Sequence, residues 1–318
     1  KRKKLDFMTD GSVIVVNQLT QEKNLGHIGK AERWMLAYKF PSQQVTTRVL
    51  DIEVQVGRTG ALTPVAILQP VAVAGSIVSR ATLHNQDEIE RKDVRIGDTV
   101  ILQKAGDVIP EIVQVLPKLR TGREKKFIFP KKCPVCHSAV YKKEGEVAFY
   151  CTNKKCFAKN VEGLIHFVSK KGFNIEGLGD SIVKLLAERN LLLTGADIFE
   201  LCAGDLRGLP GFADKKINNL LQSIAKSKKV SLANFIYALG IRHVGEETAI
   251  SLAQHFGNID KLSRAKQEEL ENLPDIGPEM ARSLVEWFAD QQNKKLLQHL
   301  WLSGVSIKNV EKSQGQLV

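Results

Sequence analysis

Four of the five cysteines stand in two close pairs. Two residues separate Cys133 from Cys136, four separate Cys151 from Cys156, and fourteen lie between the pairs, with Gly145 near their middle. This spacing predicts a four-thiolate tetrahedral zinc site in which a hairpin brings two short loops together. With all four positions taken, such a metal holds structure and activates no water. Disulfide pairing is the competing reading, weakened by the cytosolic character of the chain and by the partnerless Cys202. Cys202 follows Phe199 and Leu201 and is expected to be a buried small hydrophobe. Lys131, Lys132, Lys142, Lys143, Lys154, Lys155 and Lys159 flank the two pairs. The module therefore reads as a small clamp on a phosphate backbone, against the blander reading of a solvated charged face.

A second chemistry recurs further on. Ile175-Glu176-Gly177-Leu178-Gly179, Leu209-Pro210-Gly211-Phe212-Ala213, Ile241-Arg242-His243-Val244-Gly245 and Leu273-Pro274-Asp275-Ile276-Gly277 are turns of one kind, repeating every 32 to 34 residues. Each joins two helical segments, the pattern of a helix-hairpin-helix. Small residues let the backbone approach a phosphate, and the amides opening the next helix point outward with its positive dipole end. Such a turn grips a nucleic-acid backbone without reading bases. Gly177, Gly179, Gly211, Gly245 and Gly277 are the residues expected to touch DNA. Ala213 replaces the last glycine of the second copy, and His243 and Asp275 replace the first of the third and fourth. Those copies could serve packing alone, and the acidic Asp275 makes the fourth the clearest candidate for a structural copy.

A third element is the segment Arg33 to Pro41, a strand pattern that carries Lys39 among apolar residues and is expected to bury it. The elements that must position these groups fall into three textures. From Thr46 to Leu116 come β-branched runs (Val49 to Val56, Ala66 to Val73, Asp98 to Gln103, Ile109 to Val115) with a helical insert at Leu83 to Glu90. Five short strands with one insert predict a small Greek-key barrel of the oligonucleotide-binding type (OB-fold), with an SH3-like barrel as the competing arrangement. After the cysteines come helices: Val161 to Lys170, Asp180 to Glu188, Asp214 to Ala225, Leu232 to Leu239, Glu246 to Phe256, Lys266 to Leu273 and Pro278 to Gln291. The change near residue 160 is the clearest boundary in the chain. A length of 318 residues allows two or three domains. The net charge of +11 favours a polyanionic partner, and residues 101–160 carry thirteen Lys and Arg against five Asp and Glu, +8 of that total. No apolar run is long enough to cross a membrane as a helix, and no secretory leader pattern opens the chain.

Barrel, four-cysteine module and four helix-hairpin-helix units, in that order, resemble the C-terminal part of bacterial NAD-dependent DNA ligases. Asp10-Gly11-Ser12-Val13-Ile14-Val15-Val16-Asn17 is similar to the penultimate motif of the family's adenylation domain, and Ala37-Tyr38-Lys39-Phe40-Pro41 to its last. Gly57 to Ala66 (GRTGALTPVA), Ala81-Thr82-Leu83-His84-Asn85 and Ala105-Gly106-Asp107-Val108-Ile109-Pro110 are similar to family segments of the barrel. The resemblance covers essentially the whole chain.

It implies a multi-domain protein: residues 1–43 ending an adenylation domain, an OB-fold barrel at 44–118, a small four-cysteine zinc module at 119–160, an all-α helix-hairpin-helix domain at 161–303, and a linker at 304–318 toward a BRCT domain. The implied activity is nick sealing in three steps: a lysine is adenylated by NAD+, AMP passes to the 5′-phosphate, and the 3′-hydroxyl displaces it. Every step is displacement at phosphorus, where cationic side chains neutralise the phosphate oxygens. Lys39 corresponds to the motif lysine on the AMP phosphate, Asp10 to a nucleotide-pocket position that helps organise Mg2+ (or Mn2+), and Arg2 to a basic position of the same pocket. Arg58 and Lys104 are the implied barrel contacts to DNA. The implied partner is nicked double-stranded DNA and the implied state a cytoplasmic, nucleoid-associated monomer off the membrane. The chain departs from the pattern at Val15, where the family motif carries a lysine, and it has no Lys-x-Asp-Gly. The nucleophilic lysine is expected upstream, and the chain by itself is expected to bind DNA without reacting with NAD+. A noncatalytic zinc and helix-hairpin-helix scaffold of DNA repair is the alternative function.

Overall fold

The computed structural model describes residues 6, 9, 11–28, 31–39, 42–105 and 109–308. Arg2, Asp10 and the Gly106-Asp107-Val108 part of the third barrel motif lie outside them. By internal contacts the chain forms two compact units, residues 1–154 and 155–318.

In the first unit, strands Gly11–Val15 and Met35–Lys39 pair antiparallel, Gly11 opposite Lys39. The expectation that this segment buries Lys39 is not met: all five residues from Met35 to Lys39 are exposed. Among the described residues no second layer lies on this two-stranded ribbon, and two strands alone cannot cover a face.

The barrel comprises β1 (Gln44–Val56), β2 (Ala61–Val73), β3 (Ser76–Thr82), β4 (Thr99–Ala105) and β5 (Ile109–Val115). β1 pairs antiparallel with both β2 and β4, β4 with β5, and β2 with β3. A parallel contact, Glu111 opposite Thr82, joins β5 to β3 and closes the ring. The strand order around it is that of an OB-fold, and full closure removes the exposed edges. Val49, Ala66, Leu68, Val100, Leu102 and Ile112 fill the interior at 0–1% exposure. The insert is α1 (Gln86–Lys92), capped by Asn85, whose Oδ1 accepts from Glu88 N at 2.9 Å. Under α1 the fully buried Asp98 carboxylate accepts Arg120 Nε at 2.7 Å and Nη2 at 2.9 Å, and the same guanidinium reaches Asp93 at 2.6 Å.

The second unit is helical: α2 (Phe157–Val168), α3 (Asp180–Glu188), α4 (Asp214–Ser227), α5 (Leu232–Ala238), α6 (Glu246–Phe256), α7 (Gln267–Glu271), α8 (Pro278–Ala289) and α9 (Gln291–Leu302), with the further short helices Ala203–Leu206 and Ile259–Arg264 between them. Apolar residues at helical spacing build its core, for example Val161, Leu164, Phe167 and Val168 on α2 and Ile217, Leu220 and Ile224 on α4. The expected single helix Pro278 to Gln291 divides at Asp290. That residue is extended (ψ 128°) and its Oδ1 accepts from Gln292 N at 2.7 Å, so it ends α8 and caps α9. Cys202 is exposed rather than buried. It stands before the short helix Ala203–Leu206, where its sulfur accepts from the Asp205 amide while the Asp205 carboxylate accepts from Cys202 N at 2.8 Å. The capping role takes the thiol to the surface and leaves Leu206 to fill the core.

Candidate zinc centre and nucleic-acid interface

Cys133 and Cys136 open a tight knuckle. Cys133 N donates to Ser138 O at 2.8 Å, His137 N to Cys133 O at 3.0 Å, and His137 takes a left-handed φ of 56° to complete the reversal. Strands β6 (Val140–Lys142) and β7 (Phe149–Cys151) follow as a hairpin turning at Gly145 (φ 78°), with Val140 opposite Cys151. Cys156 is the N-cap of α2. The sulfurs of Cys133, Cys136, Cys151 and Cys156 all lie within 4.8 Å of one another, and all four thiols are free of disulfides. A tetrahedral zinc with Zn–S of about 2.3 Å places its thiolates about 3.8 Å apart, so the cluster fits that ion. The electrostatics agree. The Ser138 hydroxyl and amide donate to Cys136 and hold its thiol down at about 5, whereas burial pushes Cys151 up to about 12. Four adjacent thiolates repel one another, and a dication relieves this. Ser138 was not singled out from sequence, although a hydroxyl residue two places after the second cysteine is a legible signal.

The hairpin is also tied to the barrel. β7 pairs with β2, Phe149 opposite Leu62 and Tyr150 opposite Ala61, and Cys151 N donates to Gly60 O at 2.9 Å. The turn Gly57-Arg58-Thr59-Gly60 between β1 and β2 is thereby fixed against the metal module, and Arg58 sits half-buried within it. Lys104 is placed elsewhere. It extends β4 past Gln103, the partner of Gln44, so Arg58 and Lys104 lie at opposite ends of the 13-residue β1. Its ammonium donates to Ser76 Oγ at 3.0 Å. The flanking lysines are not all available either: Lys142 pairs with Asp87 at 3.1 Å and Lys143 with Glu146 at 3.3 Å.

Lys39 closes its strand beside Gly11, and this neighbour has to be glycine. A Cβ on Gly11 would lie 2.6 Å from Tyr38 O and 3.3 Å from Lys39 Cα.

All four hairpins adopt one backbone. In each, the fourth residue donates its amide to the first carbonyl: Leu178 to Ile175, Phe212 to Leu209, Val244 to Ile241 and Ile276 to Leu273, at 3.1–3.3 Å. The third residue takes a left-handed φ in every copy: 84° at Gly177, 76° at Gly211, 68° at His243 and 63° at Asp275. A positive φ at this place fits a type II turn, with proline before it in the second and fourth copies. Histidine and aspartate tolerate the left-handed region better than most residues, so copies three and four keep the turn despite their substitutions. The apolar first and fourth residues anchor the turn, for example Ile241 and Val244 at 1% and 4% exposure, while the third and fifth face solvent.

The fifth residue is the N-cap of the following helix in each copy. Gly179, Ala213, Gly245 and Gly277 are extended there, and none of these helices receives a side-chain cap. The first amides of α3, α4, α6 and α8 thus receive no bond from an N-cap side chain, and the first turn of a helix has no intrahelical acceptor for them. Pro278 removes one of them from the fourth copy, which adds to the case made by Asp275.

Four family models match in order along the chain: the NAD-dependent DNA ligase adenylation domain at 1–43, its OB-fold domain at 46–124, its C4 zinc finger domain at 132–158, and a helix-hairpin-helix motif at 234–297. A protein named DNA ligase from Caldicellulosiruptor saccharolyticus is 48% identical over all 318 residues, which cover 47% of its length. The chain belongs to the NAD-dependent DNA ligase family. Other relatives of the same name are those of Pelotomaculum thermopropionicum, 50% identical over 96% of this chain and 45% of its own, and Bacillus licheniformis, 48% identical over 96% and 46%. The chain thus spans about half the length of the curated family members it matches. The barrel turn and the zinc hairpin, which share one sheet, fall within two separate models of that family. Among the described residues no helix is long and apolar enough to cross a membrane.

Proposed function

We propose that this chain is the DNA-clamping part of an NAD-dependent ligase that seals nicks in duplex DNA. The observation that carries the reading is the order of three ligase-family modules and a helix-hairpin-helix region along one chain, the last with helices whose N-termini lack a side-chain cap and suit phosphate oxygens. Modules at 1–43, 44–118, 119–160 and 161–303 divide the work. The zinc, held by Cys133, Cys136, Cys151 and Cys156, fixes the hairpin against the Arg58 turn. Arg58 and the hairpin glycines Gly177, Gly179, Gly211 and Gly245 meet DNA phosphates. Gly277 belongs to the weakest contact, and Lys104 must exchange its Ser76 partner to join them. Lys39, exposed beside Gly11, would neutralise the phosphate of AMP, and the resemblance assigns Arg2 and Asp10, outside the described residues, to the same nucleotide, Asp10 being the residue that would help hold Mg2+. NAD+ supplies AMP when bound. With no Lys-x-Asp-Gly in its 318 residues, the chain alone takes up no AMP.

The noncatalytic scaffold reading draws on Val15, which is 45% exposed where the family motif carries a cation. It leaves Lys39 and its glycine neighbour unexplained. The test is binding to nicked and intact duplexes of one sequence across a salt series, with the chain as a monomer. Tighter binding to the nick is expected, and equal affinity would refute nick recognition. Incubation with adenylate-labelled NAD+ is expected to leave the chain unlabelled; a labelled chain would overturn the assignment of the nucleophile elsewhere.

A further inference from the structure

A groove of about 810 Å3 runs along α4 in the helical unit. One wall is the segment leading into the first hairpin, from Asn174 to Gly177, and the other is the face of α4 from Lys216 to Ser227, continued by Lys229 and Lys308. The charged side chains lining it are four lysines (Lys216, Lys226, Lys229 and Lys308) and one carboxylate, Glu176. All four lysines are exposed. Elsewhere in this unit a lysine finds a carboxylate, as Lys171 does with Glu246 at 2.6 Å. Among the described residues none of these four does. Lys216 instead donates to Gly211 O at 3.0 Å and lies over the Phe212 ring at 4.5 Å, which holds its charge at the mouth of the second hairpin.

Spacing decides the ligand. Ten residues of helix separate Lys216 from Lys226, about 15 Å at 1.5 Å per residue, so these ammonium groups cannot converge on one phosphate. A row of phosphates can meet them, since one strand of a duplex carries a phosphate about every 3.4 Å along its axis. Asn219, Gln222 and Ser223 on the same wall add uncharged donors, a composition that follows a backbone and reads no base. Gly177 at one end belongs to the first hairpin, so groove and hairpin amides are continuous.

We propose that the α4 groove holds a stretch of DNA phosphodiester backbone through Lys216, Lys226, Lys229 and Lys308, a side-chain contact additional to the hairpin amides. The proposal rests on the DNA-clamping reading above. Its test replaces Lys226, Lys229 and Lys308 together by glutamine in the 318-residue chain, with thermal unfolding and zinc content checked against the parent. Binding to a nicked duplex is measured by fluorescence anisotropy over a salt series. Each lost phosphate contact reduces the slope of log K against log salt by about 0.9, so three lower it by about 2.7, with affinity at 0.1 M salt falling on the order of a hundredfold. Glu176→Gln is expected to move affinity the other way. A folded triple variant with the parent's slope would overturn the proposal, as would loss of inorganic tripolyphosphate binding with an unchanged DNA slope. A parent chain that binds no DNA would instead defeat the DNA-clamping reading, and this proposal with it.

Discussion

Valine at position 179 isolates the hairpin chemistry from the hairpin fold. Gly179 has φ −79° and ψ 173°, a conformation open to any residue, and a Cβ built on it meets nothing within 4 Å. Gly177, two residues earlier, sits at φ 84°, where a side chain costs roughly 1–2 kcal/mol of backbone strain, so its substitution would confuse unfolding with loss of binding. At 179 the structural penalty is only that of a poorer N-cap, about 0.5–1 kcal/mol, a shift in Tm of no more than about 4 °C for a unit of this size. Ala213 shows that a single carbon is compatible with the turn, which is why valine is the better probe. Its branched side chain stands in the space a phosphate oxygen needs to reach the α3 amides. A hydrogen bond to a charged group contributes about 1.5–3 kcal/mol, so affinity for duplex should drop about 10- to 150-fold while the salt slope stays close to the parent's, because no cationic side chain is removed. The same change at Gly245 should behave alike, and at Gly277 it should matter least because of Asp275 and Pro278. Anisotropy titration beside a melting curve decides the matter. Unchanged affinity in a Gly179→Val, Gly245→Val double variant that melts normally would refute the amide-to-phosphate reasoning.

Further outcomes are expected of the metal centre and the barrel. The purified chain should carry one zinc, lost in Cys133→Ser together with the β6–β7 hairpin, and its zinc affinity should fall with pH as protons compete for thiolates; full zinc retention in that variant would contradict the assignment. Thiol labelling should modify Cys202 alone while zinc is bound and all five cysteines after chelation, and slow labelling of Cys202 would contradict its exposure. Replacing Arg120 by methionine strands the buried Asp98 carboxylate and should cost about 3–5 kcal/mol of barrel stability, measured by denaturant unfolding. Arg120 and Arg95 hold the Asp93 carboxyl below its ordinary range. That contribution is complete above the unfolded pKa of about 3.9 and is lost as pH falls through the lower folded value. Acid unfolding of the parent barrel should therefore steepen below about pH 4, and Arg120→Met should flatten that dependence.

The zinc ligands and the four turns were legible in the sequence because both depend on local spacing. A thiolate loop and a five-residue turn are closed by residues a few places apart, and glycine marks the positive φ where it occurs. His243 and Asp275 align with Gly177 and Gly211 in the sequence, but their residue types hide the conformation, and only the backbone reveals that they keep the positive φ. The exposure of Cys202 was missed because apolar neighbours suggest burial, whereas a capping thiol answers to the start of its helix. Asp290 was absorbed into a helix for the reverse reason: propensity runs on past a residue that a single hydrogen bond takes out of it.

Residue type and spacing thus determined the four-cysteine cluster, the module order and the recurring five-residue turns. Tertiary structure alone decided the barrel's closure, in which Glu111 meets Thr82 across 29 positions. It decided the seam between Gly60 and Cys151, the separation of Arg58 from Lys104, and the gathering of Lys216, Lys229 and Lys308 along one groove. Each of these depends on contacts between residues far apart in the chain, whose formation follows from how apolar faces pack and which no local pattern encodes.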